Sequence, residues 1–99
     1  MKLRILPSAI QDLRRGQEFY ARQGDSLGEY FLDSLFSDID SLELYAGVHA
    51  KVFGYHRMLA KRFPFAVYYK ADDEVCTVWR VLDCRQNPAK ITRALKRNL

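Results

Sequence analysis

The stretch Arg62–Arg85, RFPFAVYYKADDEVCTVWRVLDCR, limits the fold more than any other part of the chain, because it reads as two β-strands joined by a tight acidic turn. Phe65, Val67 and Tyr69 recur at every second position, Asp72-Asp73 supplies turn chemistry, and Cys76, Val78 and Leu82 resume the alternation. A turn centred on Asp72-Asp73 sets Lys70 opposite Val75 and Tyr69 opposite Cys76. Phe65, Val67 and Tyr69 then share a face with Cys76, Val78, Arg80 and Leu82, while Ala66, Tyr68, Thr77, Trp79 and Val81 take the other. Both faces are largely apolar, so the hairpin is expected at the centre of a sheet with material packed on each side.

At 99 residues the chain has room for one small domain, spanning 1–99, with a modest core. A hydrophobic fraction of 48% with 13% aromatics excludes a disordered chain, and the lack of an apolar run long enough for a bilayer excludes a membrane-spanning helix. The N-terminus MKLRILPSAIQDLRR has no apolar signal core with a cleavage site, which predicts a cytoplasmic protein. Cys76 and Cys84 lie on one predicted strand, where ~3.3 Å per residue separates them by roughly 26 Å, too far to pair. With no CxxC and only His49 and His56 beside them, neither a metal site nor a cofactor is expected.

Charge is divided unevenly. Residues 1–50 hold five Lys/Arg against eight Asp/Glu, and residues 51–99 hold eleven against four, giving −3 and +7. A basic half that also contains the hairpin points to an anionic partner, nucleic acid or acidic polypeptide.

Around the hairpin, Lys2–Leu6 reads as a short strand with Leu3 and Ile5 on one face, ended by Pro7. Ser8 with Gln11 is a predicted capping box, after which Ala9, Leu13, Gly16 and Tyr20 form the apolar stripe of a helix to about Gln23. Ser26 with Glu29 is a second predicted box, opening a longer helix closed by Gly47. Phe31, Leu35, Ile39, Leu42 and Ala46 line its apolar face, while Asp33, Asp38, Asp40 and Glu43 make the other side acidic. The short Gly24-Asp25 link requires the two helices to pack antiparallel. Gly54 marks a turn, Tyr55–Phe63 alternates as a strand, and Pro64 interrupts it. Gln86-Asn87-Pro88 is a helix start, followed by the short basic helix AKITRALKRNL, docked by Ile91 and Leu95. The expected fold is α+β: a small single domain with a twisted antiparallel sheet of about four strands, an N-terminal helix hairpin on it and a short C-terminal helix, in the order β-α-α-β-β-β-α.

Ser8, Asp12 and Leu13 in the first helix, the long second helix ending in glycine, RFPFAVYYK, and VWRVLDCRQNP together resemble the RelE/ParE superfamily of toxins from bacterial type II toxin–antitoxin pairs. The resemblance covers nearly the whole chain and implies the same sheet with a packed helix hairpin. It also implies growth inhibition and plasmid stabilisation, with a cognate acidic antitoxin as partner. Members of the RelE-like branch cut mRNA on the ribosome, using basic side chains from the sheet and a Tyr or His near the C-terminus. After Arg85 this chain reads QNPAKITRALKRNL, with no side chain suited to acid–base work near neutral pH. It is therefore more similar to the ParE-like branch, whose members inhibit DNA gyrase by binding without chemistry of their own. The alternatives are a RelE-like endoribonuclease and a non-toxic member kept as an antitoxin partner.

Under the binding reading, the resemblance implies target contact by Arg85 at the strand end; the basic charge of the terminal helix adds Lys90, Arg93 and Arg97 beside it, and the charge of the sheet offers Arg57, Lys61 and Arg80, with Trp79, to the acidic antitoxin. Under the nuclease reading, Arg57, Lys61, Arg80, Arg85 and His56 are the catalytic candidates, with positive charge to stabilise a phosphorane and His56 to move a proton. Each also has an ordinary structural role. A strand histidine or tryptophan in a small domain is commonly packed, the basic terminal helix commonly a solvated face, and Arg80 amid apolar neighbours needs a carboxylate from a helix.

Overall fold

The computed structural model describes residues 1–96. Its elements run β1 (Lys2–Ile5), α1 (Pro7–Ala21), α2 (Leu27–Asp40), α3 (Leu42–Tyr45), β2 (Lys51–Val52), β3 (Tyr55–Leu59), β4 (Phe65–Ala71), β5 (Val75–Asp83) and α4 (Pro88–Lys96). The strands form one five-stranded sheet in the order β1-β5-β4-β3-β2. Pairing is antiparallel except for β1, which runs parallel to the first half of β5, from Lys2 opposite Val75 to Ile5 opposite Val78. The fifth strand, β2, is the two-residue arm of a hairpin whose central residues Phe53 and Gly54 both take positive φ, as the twist of so short a turn demands.

The β4–β5 hairpin is central as expected, but its register differs at two places. Ala71, not Tyr69, stands opposite Cys76. Asp72 opens the loop instead of centring it, because its Oδ1 accepts the Glu74 and Val75 N–H groups at 2.9 and 2.8 Å. Farther along, Tyr69 pairs with Val78 but Tyr68 pairs with Arg80, so Trp79 is the extra residue of a β-bulge. The bulge reverses the expected facing of everything beyond it. Val81, not Leu82, joins Phe65, Val67, Tyr69, Cys76 and Val78 under the helix hairpin, and Leu82 joins Ala66 and Tyr68 on the opposite side. Arg80, expected on the face of Phe65, Val67 and Tyr69, stands opposite Tyr68 instead.

On the hairpin side, Ala9 and Leu13 of α1 and Phe31, Leu35 and Ile39 of α2 are fully or almost fully buried against the sheet, with Leu42 of α3. A Cβ on Gly16 would run into the Phe31 ring, and one on Gly28 would lie 2.8 Å from the Gln17 carbonyl, so both glycines allow close helix approach. Phe31 in turn packs against Tyr20, Phe63 and Phe65 with centroids 5.2, 5.1 and 4.9 Å apart. On the other side α4 lays Leu95, Ile91 and Ala94 over Tyr55, Ala66, Tyr68 and Leu82. Asn87 caps it by accepting the Ala89 N–H at 2.8 Å, with Pro88 in the first turn.

Several local expectations are corrected. Ser8 lies inside α1 behind Pro7 and makes no cap, and Ser26 takes a left-handed φ of 66° in the tight inter-helix link and also makes none. The second helix breaks at Ser41, whose Oγ donates to the Asp38 carbonyl at 2.6 Å and so competes with the helix ladder. Asp38 is not on the wet acidic side. It is 3% exposed and its Oδ2 accepts the Lys61 N–H at 3.0 Å, holding the bend around Pro64 that ends β3 at Leu59 and not at Phe63.

Candidate functional site

Because β1 stops at Ile5, no strand among the described residues covers the outer edge of β5 from Trp79 to Asp83. A bare edge has exposed N–H and C=O groups that must find partners. Here α1 supplies them with side chains one turn apart. Ser8 Oγ donates to the Trp79 carbonyl at 2.6 Å, and Asp12 Oδ2 accepts the Val81 N–H at 2.9 Å. The same Asp12 carboxylate takes both forks of Arg80, Nε at 2.7 Å and Nη2 at 2.9 Å. Its bond to Asp12 raises the Arg80 pKa above the ordinary value against the opposing effect of burial, which keeps the guanidinium charged.

Below this edge lies a cleft of about 500 Å³ walled by α1, β5 and α4. Phe65, Val81 and Leu82, all almost fully buried, form its floor beside Ala94, and Arg15, Arg80, Lys90 and Arg93 bring positive charge to it. Its carboxylates are already engaged: Asp12 holds Arg80, and Asp83 holds Arg85 through Nε at 3.0 Å and Nη2 at 2.8 Å. Arg85 also donates to the Tyr20 hydroxyl at 3.2 Å, and its bond lowers the Asp83 pKa. Arg15, Lys90 and Arg93 are exposed and take part in no ion pair among the described residues.

The residues singled out from sequence therefore divide. Lys90, Arg93 and Arg80 converge on the cleft, with Arg85 at its margin through Asp83. Arg97 lies outside the described residues. Arg57 points to the α4 side of the sheet, where its guanidinium donates to the Tyr68 hydroxyl at 3.2 Å and to Cys84 Sγ at 3.5 Å. Trp79, half-buried, lies on the same side with its indole N–H buried and unbonded, and Lys70 sits over the Trp79 and Tyr55 rings at 5.2 and 4.7 Å. Lys61 is exposed at the β3–β4 bend.

His56 stacks on Tyr69 at 5.0 Å, under the helices, and its Nδ1–H donates to the His49 carbonyl at 2.6 Å. The Tyr69 hydroxyl accepts the Gly47 N–H at 2.9 Å and bonds His49 Nδ1. Burial, with His56 as a smaller contribution, lowers the His49 pKa. These rings fasten the connector after α3 to the sheet, two strands away from β5, or about 10 Å by strand spacing.

Sequence reasoning did not single out Arg15 as a site residue, nor the edge-closing work of Ser8 and Asp12. The available signal was Ser8, Asp12 and Arg15 at i, i+4 and i+7, a polar stripe beside the apolar one on α1.

Among the described residues no group of His, Cys, Asp and Glu is arranged to hold a metal ion, and no helix is long and apolar enough to cross a membrane. Comparison with known proteins agrees with the architecture. The family model described as the ParE toxin of the type II toxin–antitoxin system parDE matches residues 3–88. The solved structure of the chromosomal ParDE toxin–antitoxin system from P. aeruginosa superposes with a TM-score of 0.74 at 19% identity, over 82% of this chain and 92% of that one. A search of curated proteins returns no match.

Proposed function

The chain belongs to the ParE toxin family of type II toxin–antitoxin systems, and from that premise we propose that it arrests growth by binding DNA gyrase, without chemistry of its own, until a cognate antitoxin covers it. The observation that carries this reading is the separation of charge from proton-transfer groups. Arg15, Arg80, Lys90 and Arg93 gather in the cleft between α1, β5 and α4, while both histidines are bonded into the connector under the helix hairpin. Cleavage at a ribose 2′-hydroxyl needs a base, an acid and charge stabilisation around one phosphate. The cleft offers the last, which suits holding a partner.

In this reading Lys90 and Arg93, with Arg85 at the margin, meet the target, while Arg57, Lys61, Trp79 and Arg80 serve the antitoxin. Arg80 lies beneath both because its fork is spent on Asp12. The purified chain is tested side by side in a gyrase supercoiling assay and a cell-free translation assay. Inhibition of supercoiling with translation intact supports the proposal. Codon-dependent mRNA cleavage overturns it in favour of the RelE-like reading, and silence in both leaves a non-toxic antitoxin partner. Co-expression with a small acidic candidate antitoxin tests neutralisation, which predicts restored growth and a co-purifying complex.

A further inference from the structure

Arg80 and Arg85 each give Nε and Nη2 to one carboxylate, but the two pairs sit in different surroundings. The side chains of Arg80 and Asp12 are 17% and 5% exposed, whereas those of Arg85 and Asp83 are 53% and 29% exposed. A buried pair is costly to part, while a pair in contact with water contributes little and yields to a competing partner. The fork of Arg85 is therefore the exchangeable one.

The two oxygens of Asp83 are used differently. Oδ1 accepts the Arg85 backbone N–H at 2.8 Å and its Nε–H at 3.0 Å, while Oδ2 bonds Nη2 alone, at 2.8 Å. The turn that leaves β5 thus needs only Oδ1, and Oδ2 serves only the guanidinium. Nη2 also donates to the Tyr20 hydroxyl at 3.2 Å, and Tyr20 is wedged against Phe31 and Phe63 with centroids 5.2 and 4.8 Å apart. Nη1 is the one guanidinium nitrogen with no bond among the described residues. An incoming acceptor therefore meets a single nitrogen beside a negative charge until Asp83 lets go.

We infer that Asp83 is a positioning residue that masks Arg85: its carboxylate fills the fork as an internal stand-in for an oxyanion of the target and so sets how well an acceptor must bind to engage Arg85. The inference rests on the toxin reading only in making Arg85 a target contact; the masking of the fork does not depend on it.

Asp83→Asn separates the mask from the turn, since Asn keeps Oδ1 for the Arg85 N–H and loses the charged Oδ2. Asp83→Ser, whose hydroxyl accepts the same N–H, repeats the test with a second side chain. The full chain and both variants are titrated at constant ionic strength with inorganic phosphate and, separately, with acetate, while NMR follows the Arg85 Nε–H resonance. Both variants are expected to respond at about threefold lower anion concentration than the wild type, the scale of an exposed pair. Whichever anion acts at the lower concentration names the class of oxyanion the fork prefers. Asp73→Asn removes the same charge from the exposed β4–β5 loop, where Asp73 has no ion pair among the described residues, and should leave the response as in the wild type. In the supercoiling assay Asp83→Asn should inhibit at lower concentration than the wild type, and adding Arg85→Gln should abolish that gain. An Arg85 resonance equally responsive with and without Asp83, an Asp73→Asn effect as large as that of Asp83→Asn, or a gain in inhibition that persists without Arg85 would each overturn the inference. Chains inert toward gyrase whose Arg85 resonance still responds as expected would sink the gyrase reading and leave the masking standing.

Discussion

On one side of the sheet two helices brought close at Gly16 and Gly28 press Phe31, Leu35 and Ile39 onto Phe65, Val67 and Val78; on the other a nine-residue helix reaches the sheet through Ile91, Ala94 and Leu95. The first side is a packed aromatic and aliphatic layer. The second leaves Arg57, Lys70 and Trp79 half-exposed and opens beside α4 into the cleft. In a domain this small the apolar layer that outweighs chain entropy must be concentrated somewhere, and it is concentrated under the hairpin. That leaves the α4 side free to carry charge that would be costly inside a core. Close packing is thus concentrated on one side and exposed charge on the other, with Asp12, Phe65 and Val81 reaching both the core and the cleft.

Substitutions can break or sharpen that division. Phe31→Ala, at the centre of the aromatic layer, should cost about 4 kcal/mol, whereas Leu95→Ala should cost nearer ~2 kcal/mol, since α4 can resettle. Urea denaturation of both checks it, and equal losses would erase the asymmetry. Asp12→Ala leaves Arg80 without its carboxylate and the Val81 N–H without its acceptor, at a cost of about 3 kcal/mol. Because Arg80 and Val81 line the cleft, the same variant should also weaken partner binding, which distinguishes it from Phe31→Ala. Gly16→Ala should cost ~2 kcal/mol by forcing a methyl into the Phe31 ring, with binding unchanged.

Smaller still is the acid response of the connector. His49 has a folded-state pKa below its unfolded value, so below about pH 6.5 the unfolded chain binds more protons and stability falls as the pH drops. Melting temperature against pH should therefore slope downward on the acid side, and His49→Gln should flatten that slope. A steeper slope in the variant would contradict the burial of His49 as its cause. Burial pushes the Cys76 thiol up to about 11, so thiol reagents should leave Cys76 untouched in the native protein.

Much of this architecture was readable from alternation and helical spacing. The apolar stripes of α1 and α2 predicted which residues face the sheet, and the composition of Phe65–Tyr69 predicted a strand buried on both faces. What spacing could not show was the bulge at Trp79, since one extra residue leaves the pattern locally intact while reversing Arg80, Val81 and Leu82. Hydroxyl and carboxylate side chains were misjudged for a related reason. Ser8 looks like a cap and Asp38 like a wet helix position, yet they bond backbone groups of β5 and of the β3–β4 bend that are distant in sequence, while Asp12 supplies the helix carboxylate expected for Arg80 and a bond to the Val81 N–H that spacing did not show. The target candidates on α4 were legible as a basic run, but their meeting with Arg15 across a cleft needed the helix positions of the fold.

Native-state hydrogen exchange tests the division of labour most directly, because it reads local and global stability residue by residue in one sample. Amides of Ile91–Lys96 in α4 are predicted to exchange through local opening at least ~100-fold faster than those of Val67–Tyr69 in β4, which should require global unfolding. Protection of α4 equal to that of β4 would mean that both sides are parts of one cooperative core, and the account would fail.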